Sequence, residues 1–128
     1  SDRYKADAVI AYNGYRFSQL VCLRGFPQSP YAEEETALHF VKVCADNGRD
    51  WCTAAAICEF ESCYGLASNH MGILWGPGRA GRIEDYINYL NHFGLPNDPG
   101  SIARGYNPSS AYAANVVALA GQIRGELY

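Results

Sequence analysis

The sequence predicts a mainly α-helical domain with a β-hairpin at its N-terminus, an α+β chain whose core is carried by helices. Three observations predict it. Apolar residues recur at three- and four-residue spacing in segments that begin after Pro30, Asp50, Arg82 and Ser109; Asn13-Gly14 separates two apolar-rich runs; and no internal repeat or low-complexity linker divides the chain. Its 128 residues are expected to form one domain that buries roughly two thirds of its unfolded surface.

Residues 1–28 read as a hairpin extension. Ala8-Val9-Ile10-Ala11-Tyr12 precedes Asn13-Gly14 and Tyr15 to Val21 follows it; Asn-Gly favours a type I′ turn because both central positions need positive φ. Gly25 to Pro30 reads as a turn. Ser29 is the expected cap of a helix that starts with Pro30, and Glu33, Glu34 and Glu35 suit the positive end of its dipole. Ala37, Leu38, Val41, Cys44 and Ala45 form its apolar stripe, and Asn47-Gly48 ends it.

Asp50 caps the next helix, Trp51 to about Ser62, with Trp51 and Phe60 as packing residues. The small residues of Thr53-Ala54-Ala55-Ala56 permit close approach and make this the expected central helix. Gly65, Gly72, Gly76, Gly78, Gly81 and Pro77 mark 63–81 as loop. Ile83, Tyr86, Ile87 and Leu90 define a helix running to Phe93, and Ser101-Ile102-Ala103-Arg104 one short turn. Ser109 or Ser110 caps the last helix, with Ala113, Val116, Val117, Ala120 and Ile123 on its inner face.

Composition narrows the function. The net charge is −3 and the ten Lys and Arg are scattered, which disfavours a nucleic-acid groove. Uninterrupted apolar runs are only a few residues long, so no membrane insertion is expected. Ten tyrosines suit a carbohydrate, which is read by aromatic faces and hydrogen bonds. Five cysteines, an odd number, leave at least one thiol free or available to another chain. In an oxidising compartment Cys44, Cys52, Cys58 and Cys63 are placed to bridge; in the cytosol all five stay reduced. Their spacing matches no zinc ribbon, and no metal or organic cofactor is implied.

The chemically loaded stretch runs from Glu59 to Ile73. Glu59 and Glu61 close an apolar helix, where the negative end of the dipole and nearby burial disfavour an ionised carboxylate, the condition a general acid needs. Gly65 lets the chain turn away beyond Glu61 and leaves that carboxyl at the edge of a cleft, whereas Glu59 points to another side and is expected in solvent.

The run Cys58-Glu59-Phe60-Glu61-Ser62-Cys63-Tyr64-Gly65-Leu66-Ala67-Ser68-Asn69-His70-Met71-Gly72-Ile73 resembles the signature of the glucosaminidase family of peptidoglycan hydrolases, related in fold to lysozymes and lytic transglycosylases. The resemblance implies a lysozyme-like helical core over 29–128, and Glu61 falls on the family's catalytic acid. Ser62 falls on the serine after it, Tyr64-Gly65 on an aromatic-glycine pair, and Asn69, Gly72 and Ile73 on a second block. Ile102-Ala103-Arg104-Gly105-Tyr106-Asn107-Pro108 resembles a later block whose cleft tyrosine is Tyr106. Cys63 departs from the family's glycine. Between Ile73 and Ile83 there is no room for the β-rich lobe where relatives carry a second carboxylate; Glu59, Glu84, Asp85 and Asp7 are the acids left for that role.

The resemblance implies a peptidoglycan glycosidase or lytic transglycosylase acting on N-acetylhexosamine polysaccharide, extracellular, periplasmic or attached to the cell wall. Glu61 and Tyr106 are the expected catalytic residues. Tyr64 and Trp75 are expected to stack on sugar or, for Tyr64, to close the core. Asn69 and His70 complete the expected binding set, with Asn69 also holding its loop. The alternatives are a non-catalytic glycan-binding or structural module of the same fold, and a cysteine peptidase or amidase pairing Cys22, Cys58 or Cys63 with His39, His70 or His92. The short length is read as one domain of a larger chain or assembly.

Overall fold

A computed structural model describes residues 2–74 and 80–127. Among them are six α-helices and no strand: α1 (Asp2–Leu23), α2 (Glu34–Asp46), α3 (Trp51–Ser62), α4 (Ile83–His92), α5 (Pro99–Tyr106) and α6 (Ser110–Leu127), with a 3₁₀ turn at Pro30–Ala32. The mainly helical class holds. The N-terminal hairpin does not: the segment expected to fold back at Asn13-Gly14 is one continuous helix.

The reason lies in spacing. Asn13, Gly14, Phe17, Ser18, Leu20 and Val21 are the buried residues of α1, and their separations of three and four outrank the shorter alternation that suggests strands. Gly14 is not a turn residue but a contact residue. A Cβ there would stand 2.8 Å from the Leu38 Cα, so the missing side chain lets α1 lie directly against α2.

The ends of the other helices follow from their caps. Ser29 Oγ accepts from the Tyr31 N–H at 3.0 Å, but only the 3₁₀ turn follows it, and α2 begins four residues beyond the expected Pro30 start. Asp50 caps α3 through the Cys52 N–H at 3.0 Å and takes the Thr53 hydroxyl at 2.8 Å. Asp98 accepts from the Ser101 N–H at 2.9 Å, which makes α5 longer than the single turn expected.

α3 is buried on every side from Trp51 to Cys58, the central position that its small residues predict. α6 packs on it, α5 packs on α6, and α2 bridges α1, α3 and α4. Val116, Leu119, Ala120 and Ile123 form the inner face of α6, while Val117, expected there, is exposed. Phe60, expected as a packing residue, is also exposed and leans its edge on Tyr112 with ring centroids 6.1 Å apart. All five cysteines are free; Cys44, Cys52 and Cys58 lie in the core and Cys22 and Cys63 on the surface.

α3 ends at Cys63, which adopts φ 52°, ψ 50°, while the Tyr64 N–H reaches back to the Cys58 carbonyl at 3.3 Å. The helix thus ends on a left-handed residue, a position that ordinarily takes glycine. An exposed cysteine there bears a left-handed penalty of about 1 kcal/mol with no burial to offset it. Cys63→Gly is therefore expected to raise the urea midpoint, by the equivalent of about 0.5–1 kcal/mol after the extra freedom of glycine in the unfolded chain is allowed for. A lowered midpoint would show that the thiol makes a stabilising contact.

Candidate active site

Glu61 sits in the last turn of α3, half-buried, one residue before the buried Ser62. Two neighbours fix its carboxylate. Tyr112, in the first turn of α6, donates its hydroxyl to Glu61 Oε2 at 2.7 Å. On the other side lies Gly72, where an added Cβ would collide with Glu61 Oε1 and stand 2.7 Å from its Cδ and Cγ. Burial, then the bond to Glu61, pushes the Tyr112 hydroxyl far above its ordinary range, so it remains a donor.

The loop that presents Gly72 is tied on three sides. The Asn69 side chain brackets Ile73, donating to its carbonyl at 3.0 Å and accepting its N–H at 3.1 Å. The Met71 N–H donates to the Gly81 carbonyl at 2.7 Å. Ser62 Oγ donates to the His70 carbonyl at 2.7 Å, has the Cys58 carbonyl at 3.1 Å, and accepts the Gly65 N–H at 2.8 Å. One hydroxyl thus joins the end of α3 to both limbs of the loop.

Beside this loop runs a groove of about 350 Å³ lined by Gly72, Ile73, Leu74, Tyr89, Gly105 and Tyr106. Tyr106 closes α5 and turns its ring into that wall. Its hydroxyl is buried with no hydrogen-bond partner among the described residues. Burial first, then Tyr86 and Glu61, hold it well above the usual tyrosine range, so it stays protonated within the wall.

The other expected residues are placed differently. Tyr64 is fully buried, its ring against Phe17 and Phe26 at 5.9 and 5.6 Å; it closes the core and offers no face to a sugar. His70 is only 7% exposed and bonds Tyr31 Oη through Nδ1 at 2.7 Å. Its ring lines a separate pocket with Tyr31, Phe40 and Arg82, away from the groove. Burial and the Arg82 charge depress its pKa. Trp75 lies outside the described residues.

Among the described residues no second carboxylate joins Glu61. Glu59, expected in solvent, is instead 11% exposed and forms a two-pronged pair with Arg24 at 2.7 and 2.8 Å. Glu84 pairs with His39. Asp85 accepts the N–H groups of Ala80, Gly81 and Arg82 at 3.1, 2.8 and 3.1 Å. Asp7 is exposed on α1. Among the described residues no His, Cys, Asp and Glu cluster is arranged to hold a metal.

Of the three cysteines in the nucleophile alternative, the buried Cys58 is disfavoured on electrostatic grounds, as are the core thiols of Cys44 and Cys52. Burial pushes the Cys52 and Cys58 thiols up to about 12 and Cys44 higher still, so they stay protonated. Comparison of the chain with protein-family models, curated proteins and solved structures finds no match in any of the three.

Tyr112 is the site residue that sequence reasoning missed. A signal was present: it precedes Val116 by one helical turn on the inner face of α6, and a tyrosine turned inward needs a partner for its hydroxyl.

Proposed function

We propose that the chain cleaves the glycan strands of peptidoglycan, or another N-acetylhexosamine polysaccharide, with Glu61 as general acid. The observation that carries this reading is a half-buried carboxylate clamped between Tyr112 and Gly72 at the edge of a groove whose wall includes Tyr106.

Tyr112 occupies Oε2, so the transferable proton sits on Oε1, on the Gly72 side that borders the groove. Glu61 gives it to the leaving glycosidic oxygen as the bond to the anomeric carbon breaks and positive charge builds there. The acids that elsewhere meet that charge are committed to Arg24, His39 and the α4 cap. The substrate's own acetamido oxygen therefore attacks the anomeric carbon, with Tyr106 in the groove wall beside it. Water then opens the cyclic intermediate to a reducing end, or the sugar's own hydroxyl does so to an anhydro end, and the carboxylate of Glu61 takes the proton released.

Incubation with purified peptidoglycan, followed by mass spectrometry of the soluble muropeptides, tests this reading with Glu61→Gln as the paired control. New reducing or anhydro ends made by the unaltered protein and absent with Glu61→Gln are the expected result. Equal products from both proteins, or none from folded protein at acidic to neutral pH, overturn it.

A further inference from the structure

Away from the groove, a second pocket of about 370 Å³ opens between the 3₁₀ turn, α2 and the start of α4, within the range of about 300–1,000 Å³ that small-molecule sites occupy. Pro30, Phe40 and Ile83 give it apolar walls, while Tyr31, His70 and Arg82 bring polar groups to it. The chemistry proposed for Glu61 uses none of these residues.

Tyr31 and His70 are 4% and 7% exposed and share one hydrogen bond, between Tyr31 Oη and His70 Nδ1 at 2.7 Å. Burial keeps the Tyr31 hydroxyl well above its usual range, and burial, then the Arg82 charge, hold the His70 pKa down, so both groups are neutral at pH 7. A neutral tyrosine and a neutral imidazole carry one O–H and one N–H between them. Their single bond uses one of the two. Whichever tautomer the ring takes, the other hydrogen is left without an acceptor among the described residues. An unmet donor on a buried side chain is costly, and both residues stand in a pocket wall where a ligand atom can supply the acceptor.

Arg82 supplies the charge. Its Nη1 donates to the Ser68 carbonyl at 2.7 Å and the Ala80 carbonyl at 2.9 Å, which fixes the guanidinium without neutralising it and leaves Nε and Nη2 to another acceptor. No described carboxylate pairs with it: Glu84, the acid in the pocket wall, is taken by His39, and Asp85 accepts backbone N–H groups. We infer that this pocket is a second ligand site, for a small molecule that carries one carboxylate on an apolar body. Arg82 and the remaining hydrogen of the Tyr31–His70 pair hold the carboxylate, and Phe40 and Ile83 pack against the body. Glu84 at the wall disfavours a dianion such as phosphate, and the apolar walls gain nothing from a bare inorganic anion. The site does not depend on the glycosidic reading.

The test is a nuclear magnetic resonance titration of the protein at pH 7 with phenylacetate, isovalerate and the uncharged phenylacetamide. Both acids are expected to give saturable shifts at the amides of Thr36, Phe40 and Ile83, which line the pocket. Phenylacetamide should bind more weakly than phenylacetate by about fivefold, the scale of one charge-assisted bond near the surface. In Arg82→Gln the two phenyl ligands should bind equally, at the affinity the amide has for the unaltered protein. A variant that only loosened the fold would weaken both and keep their ratio. Arg82→Lys, which keeps the charge without the fork, should retain part of the preference. No saturable shift with either acid up to about 10 mM, equal binding of phenylacetate and phenylacetamide by the unaltered protein, or shifts centred on Ile73 and Gly105 in the groove overturns the site. None of these outcomes bears on cleavage by Glu61, which the muropeptide assay decides separately.

Discussion

Gly72→Ala is expected to destabilise the protein by about 2–4 kcal/mol and to remove glycan cleavage, the larger part of the effect coming from contact with one carboxylate. Gly72 has φ +66°, where an alanine costs about 1 kcal/mol from backbone alone. The added methyl would also lie against Glu61 Oε1 and Cδ. Neither neighbour moves freely: Oε2 is held by Tyr112, and the loop is held by Asn69 and Ser62. Overpacking of this kind adds about 1–3 kcal/mol.

The two terms are separable because Gly48 has nearly the same backbone, φ +64°, and nothing within 4 Å of its would-be Cβ. Gly48→Ala should therefore cost the backbone term alone and leave cleavage intact. Urea unfolding of both variants gives the difference directly. Equal losses from the two would mean that the Glu61 carboxylate yields to the methyl at little cost and is not clamped. Cleavage that survives Gly72→Ala would argue against a fixed acid.

What the sequence discloses here depends on how local the cause is. Asp50 before Trp51 caps α3 within three residues, and the helix follows as read. Asn13-Gly14 is read wrongly because its meaning is not local: the glycine answers to Leu38, twenty-four positions away in the sequence, and only the packed pair shows that it marks a close approach. The site divides in the same way. Glu61 and Gly72 are legible from a short motif and do lie together. Tyr112 comes from α6, fifty-one residues on, and no spacing rule reaches that far. Glu59 is misjudged for a like reason, since its partner Arg24 lies at the end of a segment expected to be strand and turn. Tyr64, which motif reading sends to the groove, goes to the core because its ring completes an aromatic cluster with Phe17 and Phe26.

Ser62→Ala is expected to cost about 2–4 kcal/mol, more than the loss of one buried hydroxyl ordinarily costs. The side chain is 4% exposed and serves two backbone groups at once, the His70 carbonyl at 2.7 Å and the Gly65 N–H at 2.8 Å. Removing it strands the carbonyl in a buried site and the amide in a partly buried one, at about 1–3 kcal/mol for each group left unpaired. Ser18→Ala supplies the comparison: that hydroxyl is equally buried but makes one local bond, to the Tyr15 carbonyl at 2.7 Å, and should cost about 1 kcal/mol. Amide hydrogen exchange then locates the loss. In Ser62→Ala the Gly65 amide, which has lost its acceptor, should exchange faster than in the parent protein by more than the global change in stability allows. The Met71 amide, still bonded to Gly81, should follow the global change alone if the second strap holds by itself. Should both amides accelerate together, Ser62 is the element on which the whole loop depends, and Gly72 loses its position against Glu61 with it. Unchanged protection at Gly65 would show that the serine is not its acceptor in solution.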